Sequence, residues 1–389
     1  MKITNIIVIV AIAVLSFNTL ALDEKTLEKF SQYDNSSDFV IIYDDVEALL
    51  KTAVLYMGKS SRQKAKKSKA KTGTRLRNKI KPLTDLEGNR FFYEAFDSPE
   101  KILLMTNVRK SLEQLPTNSP LQFFSKDEQL AYWLNLYNIS LLEQLILIYP
   151  QKNLKPLTEK GKLFDQKHLV VANEKISLND IKQIVIHNFG YDPLLIYGFH
   201  QGYIASPDIR REPYTGKRVW KILERNADLF INSNRGTFSD GSTTFKVSKL
   251  YEQNKMFFKD FDTDLRDHLK KHLTRLYKSK LLAAKEIETE TTNWQIADLY
   301  GTERKYGGSI ANSSAALLDA FVAKEGADEF DVSFSNSGHM NSNISKFAPV
   351  HSRLSNAQLD KIRAMMKVQE LRKGTVTITD EEESESQEK

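Results

Sequence analysis

The stretch SKDEQLAYWLNLYNISLLEQLILIYP, residues 125–150, decides how the chain is read. Ser125 stands just ahead of a long apolar run, and Glu128 follows three residues later. A hydroxyl there accepts from an open N–H of the first helical turn, and a carboxylate three residues on can bond back to the cap. Tyr132, Trp133, Leu136, Tyr137 and Leu141 then recur at intervals of one helix face. The spacing predicts a strong helix that ends near Pro150.

Upstream, 22–30 reads as a short helix, and 40–56 has helical spacing through Val46, Leu49, Leu50, Val54 and Leu55. Glu87-Gly88-Asn89-Arg90 reads as a turn and 91–93 as a strand. Ser98-Pro99-Glu100 starts a helix, with Pro at the first position and an acid in the first turn. That helix is expected to run to Leu115 and break over 116–120. Downstream, 167–176 reads as two short strands around Asn173-Glu174. Ser177, with Asp180 three residues later, opens a helix to Asn188. Residues 192–214 form a structured loop rich in Gly, Pro and aromatics. Helices are expected over 218–232, 249–261, 262–285, 309–322 and 355–371, with 287–298 extending or following the third of this set. A strand is expected over 243–247 and a mobile loop over 333–343. The sum is a helix-dominated α+β fold, with long amphipathic helices around a few short strands in one main globular body. Its regions are an N-terminal helical part over 22–119, a central domain over 120–261, a C-terminal helical part over 262–379, and an acidic tail.

Composition narrows the function. Lys2, the apolar run Ile6 to Phe17 and the small residue Ala21 make the three-part pattern of a secretory signal over 1–21. The run is shorter than the roughly 20 residues a membrane span needs. The working protein is therefore expected to be periplasmic or secreted, with no membrane span once the signal is cleaved. The chain has no cysteine, so there is no disulfide, thiol nucleophile, sulfur-ligated zinc or iron–sulfur cluster. Removing 1–21 takes one lysine from the 56 basic residues, leaving 55 against 50 acids, a net of +5. Residues 59–81 hold eleven Lys or Arg and no acid, which reads as an exposed linker or as a surface for polyanions. Residues 380–389 carry six acids and read as a disordered tail.

Three landmarks carry a resemblance. They are LAYWLNLYN over 130–138, ISLNDI over 176–181, and Asp192-Pro193 leading through Gly202 and Ser206-Pro207 to Tyr214-Thr215-Gly216. In this order and spacing, over roughly 120–261, the chain resembles the family known as domain of unknown function 547. The family pattern at the third landmark has an Arg, a His and two Cys. They fall here on Leu194, Ile196, Gln201 and Ser206. The resemblance thus implies the scaffold without a thiol mechanism.

Several residues can carry chemistry. Asn138, mid-helix among apolar neighbours, either ties the helix to a neighbouring backbone or lines a pocket with Trp133. His200 is a candidate general base in the loop with Tyr197 and Gln201. Ser206 is a nucleophile only if His200 or His187 lies within hydrogen-bond reach and a third group orients that base. Otherwise it is a turn serine, since its flanks lack the glycines of a nucleophile elbow. Arg210, Arg211, Lys217 and Arg218 with Tyr203 and Tyr214 make a cationic, aromatic rim, or else pair with Asp208 and Glu212. His268 and His272 have metal-pair spacing but read as a solvated helix face. No metal set and no cofactor motif is predicted. The first reading is a non-catalytic protein that binds a protein partner or an anionic or glycan-like ligand, not nucleic acid, through 197–214. The alternative is a hydrolase or acyl-transferase on a former thiol scaffold, with Ser206 and His200 in place of Cys and His.

Overall fold

The computed structural model describes residues 22–63, 83–84, 86–239, 243–291, 293–298 and 350–372. Helices α1 (Glu24–Lys29) and α2 (Asp44–Ala53) lead to α3 (Pro99–Asn118) and the long α4 (Lys126–Ile148). Then come α5 (Lys155–Glu159), α6 (Leu178–Phe189), α7 (Val219–Ile231), α8 (Lys249–Gln253), α9 (Phe261–His272) and α10 (Arg275–Ala283). A last helix covers Asn356–Arg372. Strands β1 (Val54–Leu55) and β2 (Arg90–Phe91) pair antiparallel, as do β3 (Leu169–Val171) and β4 (Glu174–Ile176). In a three-stranded sheet, β6 (Thr244–Ser248) pairs antiparallel with β5 (Thr237–Phe238) and parallel with β7 (Glu286–Thr291). This is the helix-dominated α+β fold expected. One hydrophobic cluster runs from Leu22 to Ile362, so a single core joins the described regions.

Helix α4 is the axis of that core. Trp133, Leu134, Leu136, Tyr137 and Leu141 are fully buried, and so are polar neighbours on its other faces. A helix apolar on nearly all sides is one that is surrounded. Helix α3 packs along it, with α6, α7 and the one-turn helix Gly216–Arg218 against its remaining faces. Each fully buried Leu or aromatic contributes roughly 2–3 kcal/mol by removal from water.

The structure corrects several expectations. Helix α3 does not stop at Leu115 but runs through Pro116 to Asn118. Proline has no N–H for the carbonyl four residues back, here Leu112. The Tyr132 hydroxyl of α4 donates to that carbonyl at 3.1 Å, so a neighbouring helix satisfies the group proline leaves open. Ser98 makes no side-chain cap. Val54 and Leu55 leave the helix as β1. Residues 91–93 split between β2 and the 3-10 turn Tyr93–Ala95. Residues 249–261 are interrupted: α8 ends at Gln253 and a 3-10 turn, Lys255–Phe257, follows. Residues 286–291 are not helical; the β-branched Ile287 and Thr289 pair with Phe245 and Val247 of β6. The hairpin turns at Ala172 (φ 48°) and Asn173 (φ 69°), the left-handed pair that a two-residue hairpin needs. The predicted signal 1–21, most of the basic stretch, the helix 309–322, the loop 333–343 and the tail 380–389 lie outside the described residues. Among the described residues, no helix is long and apolar enough to cross a membrane.

Candidate functional site

The loop that follows α6 runs from the 3-10 turn Pro193–Gly198 to the start of α7, and α4 fixes its inner face. Asn135 makes a two-way bond to Tyr214: its amide donates to the Tyr214 carbonyl, and its carbonyl accepts from the Tyr214 N–H, each at 2.8 Å. One turn on, the Asn138 amide donates to Gly198 O at 2.9 Å and Leu134 O at 2.7 Å. Its oxygen accepts from His200 N at 3.2 Å. At the start of α4, the Glu128 carboxylate accepts from Gly216 N at 3.0 Å and from Ile41 N at 2.9 Å. Burial pushes the Glu128 pKa up, and these two N–H groups hold it back. A Cβ on Gly216 would lie 2.8 Å from the Glu128 backbone, so only glycine fits that approach.

Ser206 and His200 do come together, but not as a nucleophile and its base. Ser206 Oγ is 3.3 Å from His200 Nδ1. However, Nδ1 is 2.6 Å from the Pro207 carbonyl, which can only accept. Nδ1 must therefore carry the ring hydrogen and has no lone pair for a serine proton. The Ser206 hydroxyl donates to Tyr203 O at 2.7 Å and accepts from Gln201 N at 3.3 Å. It is a turn serine, only 1% exposed. His200 Nε2 carries the lone pair, buried and without a partner. Burial pulls the His200 pKa down to about 4, against the opposing pull of the Pro207 bond and of Asp208. His187 stands apart, exposed on α6.

A second clamp, invisible to the sequence reading, holds the turn from outside. Arg235 donates to Ser206 O at 2.8 Å and pairs with Asp208 at 2.9 Å. Asn89 N donates to the same Asp208 carboxylate at 2.9 Å, and its side chain to Ile209 O at 2.8 Å. Glu87 accepts from Asn234 and from Arg235 N. Asp208 thus pairs with Arg235, not with Arg210. The one available signal for such residues is a polar side chain set into an apolar helix face. Asn226 of α7, among Ile222, Leu223 and Phe230, is the example: its amide donates to Tyr197 O and to the Tyr214 hydroxyl.

The aromatic candidates are internal. The Tyr197 hydroxyl sits between Tyr251 (3.1 Å) and His268 Nε2 (2.8 Å). His268 is therefore buried rather than on a solvated face, and burial pulls its pKa to about 3. His272 turns instead to Asp228. Tyr203 donates to Gln201 Oε1 and packs on Trp294. Trp133 lies edge-on to Phe30 and Tyr132. The cleft where Asn135, Asn138, Arg210 and Tyr214 meet has room of about 10 Å³, space for one water. A groove of about 320 Å³ lies elsewhere, between Phe30, Pro120, Leu121 and Met366.

The outer end of the loop differs. Arg210 is half-buried beside the Tyr214 ring and donates to Asn226; Glu212 is 4.0 Å away. Burial lowers the Arg210 pKa, and the charges of Arg225 and Arg218 push the same way, against that of Glu212. Arg218 and Arg225 are exposed and make no side-chain hydrogen bond or ion pair with a described residue. Arg211 reaches back to Lys51 O.

Residues 121–231 match the family model described as Protein of unknown function, DUF547. The matched DUF547 segment begins just before α4 and ends with α7, so it holds the central helix, the hairpin, α6 and the whole loop. Gln201 and Ser206, which stand where the family pattern has cysteines, are neighbours through the Gln201 N–Ser206 Oγ bond. No curated protein and no solved structure matches.

Proposed function

We propose that the protein is exported and works as a non-catalytic binding protein for an anionic, glycan-like ligand. The ligand would lie on the outer end of the DUF547 loop, over Arg210, Arg218 and Arg225. The observation that carries this reading is a contrast within one loop. Inside the loop, Asn135, Asn138, the Ser206 hydroxyl and His200 Nδ1 are bonded to backbone groups, whereas its outer guanidinium groups outnumber the one carboxylate, Glu212, beside Arg210. Guanidinium forks match carboxylate and sulfate oxygens two by two, and the Tyr214 ring holds the Arg210 fork in place. The signal-like pattern of 1–21 supports export.

Heparin fragments are a suitable first probe, titrated calorimetrically at rising salt. The expected result is binding that weakens steeply with salt and falls at least about tenfold in the Arg218→Gln, Arg225→Gln double variant. Unchanged binding in that variant, with loss instead when the lysines of 59–81 become glutamine, would move the site to the basic stretch and end this reading.

A further inference from the structure

Lys182 of α6 has an environment unlike that of an ordinary surface lysine. Its ammonium lies 5.0 Å from the centre of the Phe164 ring, 5.4 Å from that of Tyr137 and 5.8 Å from that of Phe199. The three rings come from different parts of the fold: the segment before β3, the middle of α4, and the loop after α6. The amine has three donors, yet makes no hydrogen bond or ion pair with any described residue. The one charge acting on it is Asp165, an exposed carboxylate that already accepts from the Asn179 amide. The residue as a whole is half-buried. Burial among the rings pulls the Lys182 pKa down to about 8, with Asp165 opposing.

We propose that Lys182 is a nucleophilic amine that forms an imine with small aldehydes. The Nζ lone pair attacks the carbonyl carbon, and the C=O pair moves to oxygen. The nitrogen gives up a proton and the oxygen gains one, making a carbinolamine. Loss of water then leaves C=N. No oxidant or reductant takes part. The ring faces that surround the ammonium suit the protonated imine equally well, since both are cations over aromatic faces. The apolar cage also receives an alkyl group more readily than water would. A lysine in an apolar setting is a recognised route to imine chemistry at neutral pH. At pH 7 an amine titrating near 8 holds roughly 300 times more free base than one at 10.5, and its weaker basicity takes back part of that gain.

The test uses the full-length protein with acetaldehyde and sodium cyanoborohydride at pH 7, kept to low conversion. Peptide mass spectrometry then compares ethylation at Lys182 with that at the exposed Lys175 and Lys221. The expected result is modification of Lys182 at least about tenfold faster, with a rate that levels off near pH 8 while the exposed lysines keep rising. Phe164→Leu, which removes the nearest ring, should cut that advantage. Labelling of Lys182 no faster than Lys175 and Lys221 in the unaltered protein would overturn the proposal, and so would no labelling at all.

Discussion

Helices α4 and α6 begin with the same signature, a serine followed three residues later by an acid, and use it differently. At α6 the box closes on itself: Ser177 Oγ accepts from Asp180 N at 3.0 Å, and Asp180 accepts from Ser177 N at 2.9 Å. At α4 only half of it forms. Ser125 Oγ accepts from Glu128 N at 3.3 Å, but the Glu128 carboxylate turns away to Ile41 N and Gly216 N, 87 and 88 residues distant in the chain. The longer side chain and two buried N–H groups without other partners explain the choice. A motif that is a local device at one helix is a tertiary anchor at the other.

Substitution should separate the two. Glu128→Ala strands two buried N–H groups and is expected to cost about 3–4 kcal/mol in urea unfolding. Asp180→Ala removes one half of a cap and should cost about 1 kcal/mol. Similar losses would erase the distinction.

Acid should act next most strongly, and on the loop that α4 anchors. The His200 pKa in the folded protein lies below its unfolded value near 6.5, so the unfolded chain takes up the proton first. The stability that neutral His200 contributes is complete above pH 6.5 and is lost as pH falls from there to about 4, by roughly 3 kcal/mol. His268 adds a loss that continues to about pH 3. A plot of unfolding free energy against pH checks this, and His200→Gln should flatten the upper part of the decline.

The smallest expected effect is at the α3–α4 contact. Tyr132→Phe removes the hydroxyl that serves Leu112 O, and about 1 kcal/mol should be lost. A Tyr132→Phe, Pro116→Ala double variant should recover it, because alanine restores the N–H.

These particulars show what the sequence could carry. The α4 and α6 starts were legible because a cap and an apolar period lie within a few residues of each other. The order of the three landmarks was legible for the same reason. The continuation of α3 through Pro116 was not, because its remedy comes from Tyr132 on another helix. The strand at 286–291 was missed because its partner, β6, lies some 40 residues back. In the site, Asn138 stood out as an amide on an apolar helix, and the cationic rim at 210–218 stood out as a charge cluster. Arg225 escaped notice because it joins that cluster only when α7 folds back beside the loop. Asn89 and Arg235 escaped it because nothing local links them to Asp208.

The central claim is that the inner half of the loop is a lock, with Ser206 and His200 bonded to backbone carbonyls, and that ligand contact belongs to its outer arginines. Nitrogen-15 NMR of the His200 ring tests this directly. The account predicts a hydrogen on Nδ1 and a bare Nε2 at neutral pH, unchanged until the solution is well below pH 6. A hydrogen on Nε2 with a bare Nδ1 facing Ser206 would contradict it and return the pair to candidacy as nucleophile and base.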